Sequence, residues 1–120
     1  KNLANISVPS DSSRIYNLEQ ENYFAPGVMS QYIVFSFEEE PTEFLTNNLF
    51  KNGKDEEFES DFNENIADYL YSRRKDNIVI PDTYIPNWDK DYVYLKGSPE
   101  SVSFVYMKED MLLIVYIIGR

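Results

Sequence analysis

The sequence predicts an α+β fold, with two helices packed on one face of a mainly antiparallel sheet of about four to five strands, in the order β-β-α-α-β-β-β. Three observations carry this. First, SQYIVFSF (Ser30 to Phe37) and three closing runs, DYVYLK, SVSFVYM and MLLIVYII, are dense in β-branched and aromatic residues and bounded by turn residues. Second, the apolar positions between those strand blocks recur at helical spacing. Third, ten tyrosines and eight phenylalanines in 120 residues supply enough burial for one core, despite a net charge of −10.

Taken in order, residues 1–13 (KNLANISVPSDSS) are polar and rich in small side chains, and are expected to form a loose lead-in or tether. A single domain then covers residues 14–120. RIYNL (Arg14 to Leu18) reads as a short strand with Ile15 and Tyr16 on opposite faces, and Pro26–Gly27 reads as a turn. In SQYIVFSF, Ile33, Phe35 and Phe37 share a core face, while Tyr32, Val34 and Ser36 share a partly covered one.

EEEPTEFLTNNLFKNG reads as a first helix. Pro41 suits a first turn, the surrounding glutamates complement the helix dipole, Phe44, Leu45 and Leu49 face inward, and Gly53 supplies a left-handed stop. The second helix has an apolar stripe of Phe58, Phe62, Ile66, Tyr69 and Leu70. Asp55, Glu56, Glu57, Glu59 and Asp61 lie at its front, and Arg73, Arg74 and Lys75 at its end, as the dipole favours.

A proline-punctuated connection follows, with Asn77 to Ile80 as a brief edge strand that Pro81 and Pro86 keep short. The three closing runs are separated by GSP (Gly97 to Pro99) and KED (Lys108 to Asp110), a hairpin signal. MLLIVYII is apolar on both faces, so it should be a central strand covered on both sides, or on one side plus a dimer contact.

Composition excludes several chemistries. With no cysteine there are no disulfides or thiolate sites, and with no histidine there is no Ser-His-Asp triad or His-bearing zinc site within the chain. The acidic balance disfavours nucleic acid and anionic membrane surfaces. The eight-residue MLLIVYII is far shorter than the span of about 20 that a membrane helix needs. No glycine-rich phosphate loop is present, and no cofactor is expected. DTYIPNWDKDY (Asp82 to Tyr92) supplies Asp89 and Asp91 but lacks the glycine and closing glutamate of a calcium loop, so no metal site is assigned. Asn5-Ile6-Ser7 is a formal glycosylation triplet without further support.

Two candidate interaction surfaces remain. KDEEFESDF (Lys54 to Phe62) packs five carboxylates into nine residues, and the segment from Glu38 to Asp68 carries eleven carboxylates against Lys51 and Lys54. Glu56, Glu57, Glu59, Asp61 and Glu64 are the candidate contacts for a basic partner. Acidic helix fronts are also ordinary solvated surfaces, and only the scarcity of interrupting bases speaks for a partner. The second surface is the aromatic loop, Tyr84, Trp88 and Tyr92, which serves either as a binding platform or as a plug for the end of the core.

The reading that follows is a small non-enzymatic binding domain. Its polar opening fits the mature start of an exported or lipid-tethered protein, and its partner is a basic protein or an envelope component. The alternative is a cytoplasmic immunity-type inhibitor that neutralises a basic toxin through the acidic 38–68 segment. A homodimer through the sheet or the final strand is also compatible with the pattern.

Overall fold

Among the described residues, six strands form one antiparallel sheet, and two helices complete a mixed α+β fold. The computed structural model describes residues 2–3, 6–22, 25–72, 80–97 and 102–117, with side chains described over 6–19, 30–65, 80–96 and 102–117. In chain order these are β1 (Asn2–Leu3), β2 (Ile6–Ser7), β3 (Ser13–Asn22), β4 (Ala25–Ser36), α1 (Thr42–Asn47), β5 (Lys51–Asn52), α2 (Glu56–Ser72), a 3₁₀ turn (Asp82–Tyr84), β6 (Tyr92–Gly97), β7 (Val102–Met107) and β8 (Leu112–Ile117). The main sheet runs β3-β4-β8-β7-β6-β5, and β1 pairs with β2 separately. Among the described residues the sheet thus has six strands rather than four to five. The added one is β5, a two-residue strand between the helices that pairs with Val93 and Tyr94.

The two helices do not share a face. On one side of the sheet, Phe44 and Leu45 of α1 pack with Ile33, Phe35, Phe37, Phe104, Tyr106, Leu113 and Val115. On the other, Phe58 and Phe62 of α2 pack with Tyr32, Val34, Val105, Met107, Ile114 and Tyr116. This corrects the one-face arrangement, and the cause lies in the strands. Every described residue of β7 is buried, and Tyr32 and Val34 on the supposedly half-covered side of β4 are fully buried. A sheet apolar on both faces needs cover on both.

Strand β8 is the central strand expected from MLLIVYII. It is flanked by β4 and β7, and Leu113 to Tyr116 are buried. Both its edges are therefore paired, and both faces are covered over Leu113 to Tyr116, while Leu112 and Ile117 are half-buried. The lead-in also contributes to the core, because Ile6 and Val8 are buried in the α1-side cluster.

Several turns differ from expectation for local reasons. Pro26 and Gly27 lie within β4: Glu21 pairs with Met29 and Asn22 with Ala25, so residues 26–28 form an irregular excursion in the ladder. Proline and glycine suit such a bulge as well as a turn. On β3, Arg14 pairs with Phe35 and Tyr16 with Val34, which leaves Ile15 as a bulged residue, 42% exposed. The β7–β8 link is four residues, 108–111, and ends with Met111 at φ 51°.

Helix α1 is short because a Schellman turn closes it. The Phe50 N–H bonds the Leu45 carbonyl at 3.1 Å and the Leu49 N–H bonds the Thr46 carbonyl at 3.1 Å. The accompanying apolar contact is Phe50 on Phe44, with ring centroids 5.5 Å apart. The left-handed slot is filled by Leu49, at φ 59°, and not by Gly53. That conformation costs an L-residue about 1–2 kcal/mol. Gly53 has a different job: a Cβ there would sit 2.3 Å from the Tyr92 carbonyl oxygen. Only a glycine lets the chain pass over Tyr92 on its way into α2.

The stripe of α2 is described as far as Phe58 and Phe62, both buried. The side chains of Ile66, Tyr69 and Leu70, the basic cluster Arg73 to Lys75, the first three residues of the expected edge strand (Asn77 to Val79) and the turn residues Ser98 and Pro99 lie outside the described residues. Ile80 is fully buried in the α2-side cluster. Among the described residues no helix is long and apolar enough to cross a membrane.

Candidate functional site

The candidate acidic residues sit on the first three turns of α2, and how each is used follows from helix geometry. With about 100° between successive residues, Phe58 and Phe62 point at the sheet. Glu59 and Asp61 then fall on the two flanks, and Glu56, Ser60 and Glu64 fall along the crest with Glu57 beside them.

The flanks are tied to the sheet. Glu59 accepts a hydrogen bond from the Tyr92 hydroxyl at 2.5 Å, and Asp61 pairs with the Lys96 ammonium at 3.2 Å. Asp55 does two things at once. One carboxylate oxygen accepts the Phe58 N–H at 3.1 Å, which caps the helix, and the other accepts the Tyr94 hydroxyl. The Asp55 N–H in turn donates to the Tyr92 hydroxyl at 3.1 Å. Two tyrosines on one face of β6 thus hold the front of α2, with Tyr94 stacked on Phe58 at 4.2 Å.

These contacts set the electrostatics. The Tyr94 hydroxyl first, and the Phe58 N–H second, hold the Asp55 carboxyl below its ordinary range. Tyr94 is pushed up to about 12, chiefly because its hydroxyl donates to Asp55, with burial adding to this. Tyr92 is also pushed up to about 12, chiefly by burial and then by its bond to Glu59. Both phenols therefore stay protonated near neutral pH and act as donors that fasten the helix.

Glu56, Glu57 and Glu64 are solvent-facing, and their carboxylates have no hydrogen-bond or ion-pair partner among the described residues. A shallow groove of about 220 Å³ runs beside Glu57 on the Asp61 flank, lined in part by Asp55, Asp61, Lys51 and Lys96. The expected single acidic face over residues 38–68 does not form. Glu38, Glu39 and Glu43 precede or lie on α1, on the opposite side of the sheet from α2. There, Asp11, Glu40 and Glu43 border a larger open cleft of about 520 Å³, between residues 7–11 and α1.

The aromatic loop is built as a plug. Trp88 packs edge-on against Phe62 at 5.6 Å and Tyr92 at 5.0 Å, and its indole N–H donates to the Asn63 side chain at 3.0 Å. Lys54, at φ 63°, brings its ammonium to the Trp88 carbonyl at 2.6 Å and closes the loop from outside. Tyr92 is buried, and Tyr84 faces Tyr16 while its carbonyl accepts the Tyr32 hydroxyl at 2.5 Å. Of the three, Tyr92 is buried, while Tyr84 and Trp88 are half-buried against the core. Two features escaped the sequence reading: the β6 tyrosines as holders of α2, and the strained Leu49. Alternation within DYVYLK places Tyr92 and Tyr94 on one face, which is the only signal that pointed to the first.

Among the described residues no group of three or more acidic side chains is arranged to hold a metal ion. Comparison with known proteins matches the chain to no family model, no curated protein and no solved structure.

Proposed function

We propose that this chain is a small, acidic, non-enzymatic protein-binding domain whose working surface is the exposed crest of α2, docking a partner with a basic surface. The observation that supports this is the division among the carboxylates. Glu59 and Asp61 are turned to Tyr92 and Lys96, whereas Glu56, Glu57 and Glu64 stand in solvent. Such a patch speeds encounter with a basic protein and makes binding sensitive to salt. The non-enzymatic reading is supported by the residues with shifted acidities near the groove: Asp55, Tyr92 and Tyr94 are bound to one another or to the helix, and so serve the fold.

In an exported or lipid-tethered setting, the partner is an envelope protein with a basic surface. The concentration of charge on one helix supports a second reading, a cytoplasmic immunity-type inhibitor of a basic toxin. On this reading the contact is made by the α2 crest and not by the whole 38–68 segment. Affinity capture at graded salt, from envelope and cytosolic fractions separately, tests both. A basic protein released by salt from one fraction supports the corresponding reading. Retention of only salt-resistant or acidic proteins refutes the crest as the contact surface.

A further inference from the structure

The turn that closes α1 carries a second candidate surface, on the side of the sheet opposite the α2 crest. Leu49 occupies the left-handed position at φ 59°, where glycine is the usual residue, and is nevertheless 78% exposed. Unfavourable backbone thus places a large apolar side chain in water. Immediately beside it lies a groove of about 350 Å³ whose apolar wall is Leu45, Leu49, Phe50 and Val93, with Glu40 and Lys108 on its rim.

We infer that this patch is a self-association site, in which Leu49 of each protomer enters the groove of a second copy about a two-fold axis. A projecting knob and a groove that adjoin on one patch satisfy the condition for a two-fold contact, where each copy gives and receives the same residue. The rim charges agree. Glu40 and Lys108 are exposed, and neither has an ion-pair partner among the described residues. A two-fold axis sets Glu40 of one copy against the partner subunit's Lys108, twice over. At a net charge of −10, copies repel over most of their surface, but the charges lining this groove balance. The contact leaves the α2 crest open, so it stands independently of the proposed partner site.

Sedimentation of the full chain over a wide concentration range tests the inference. The expected result is a concentration-dependent dimer that Leu49→Gly weakens by about tenfold or more, while the same variant unfolds at a higher urea concentration because glycine relieves the backbone. Glu40→Lys and Lys108→Glu should each weaken the dimer, and the double exchange should restore it. A wild-type chain that stays monomeric up to its solubility limit overturns the inference. So does a dimer that persists unchanged in Leu49→Gly, or single charge changes that the double exchange does not repair.

Discussion

The hydroxyl of Tyr94 donates to the Asp55 carboxylate that caps α2, so one residue of β6 and one helix cap hold each other in place across the α2-side core. The linkage has a definite pH signature. Asp55 is held below its ordinary pKa of 3.8, so its contribution to stability is fully present above that value and is lost as pH falls through the lower folded pKa. Tyr94 is raised from 10.0 to about 12, so its contribution is present below 10 and is lost as pH rises through about 12. Tyr94→Phe should therefore lower the urea midpoint at neutral pH, and the gap from wild type should shrink as the pH is taken below 3.8. A gap that does not change with pH would show that the lost contact is packing and not the carboxylate bond.

Gly53→Ala is expected to be among the most damaging single-methyl additions in the chain. The new Cβ would meet the Tyr92 carbonyl at 2.3 Å, and backbone on both sides has little room to give. Urea unfolding should register a loss of about 2–3 kcal/mol. A loss below about 0.5 kcal/mol would mean that the chain does not cross Tyr92 at this point.

Tyr106 is a buried phenol whose hydroxyl has no hydrogen-bond partner among the described residues. Burial first, and the negative charge of Glu40 second, push it up to about 12. Removing an unsatisfied buried hydroxyl relieves its desolvation cost, so Tyr106→Phe should stabilise the fold by about 1–2 kcal/mol. Destabilisation by a similar amount would show that the hydroxyl is bonded in solution.

The crest and the flanks of α2 should separate in folding experiments. Glu56→Lys, Glu57→Lys and Glu64→Lys alter solvent-facing carboxylates and should each cost no more than about 1 kcal/mol, the first two through the helix dipole alone. Glu59→Lys instead removes the acceptor of the Tyr92 hydroxyl and should lower the urea midpoint clearly. Equal effects at Glu57 and Glu59 would contradict the helix orientation.

How far the sequence revealed this molecule depended on the range of the forces involved. Strand β8 was legible because MLLIVYII is apolar on both faces, and only a central, doubly covered strand tolerates that. Phe58 and Phe62 were legible as core through their four-residue spacing. The side chosen by each helix was less so, because Tyr32, with its polar tip, reads as half-covered. In the fold its hydroxyl is satisfied by the Tyr84 carbonyl, and the residue is fully buried. The end of α1 was misplaced because glycine is the favoured left-handed residue and Gly53 lay near, whereas the Phe44–Phe50 contact puts the slot at Leu49. Within the candidate site, the acidic crest was visible as composition. The capture of Glu59 and Asp61 was not, because it depends on the register of β6 beneath α2, fixed by residues more than thirty positions away.

The most direct test of the α2 crest is a binding measurement on a basic partner obtained by capture, comparing two triple reversals of equal charge. Glu56, Glu57 and Glu64 are changed to lysine in one variant, and Glu38, Glu39 and Glu43, on the α1 side, in the other. With both variants folded, the first is expected to lose binding at low salt while the second keeps most of it. Equal loss in the two would mean that only net charge matters, and loss confined to the second would move the working surface to the opposite side of the sheet.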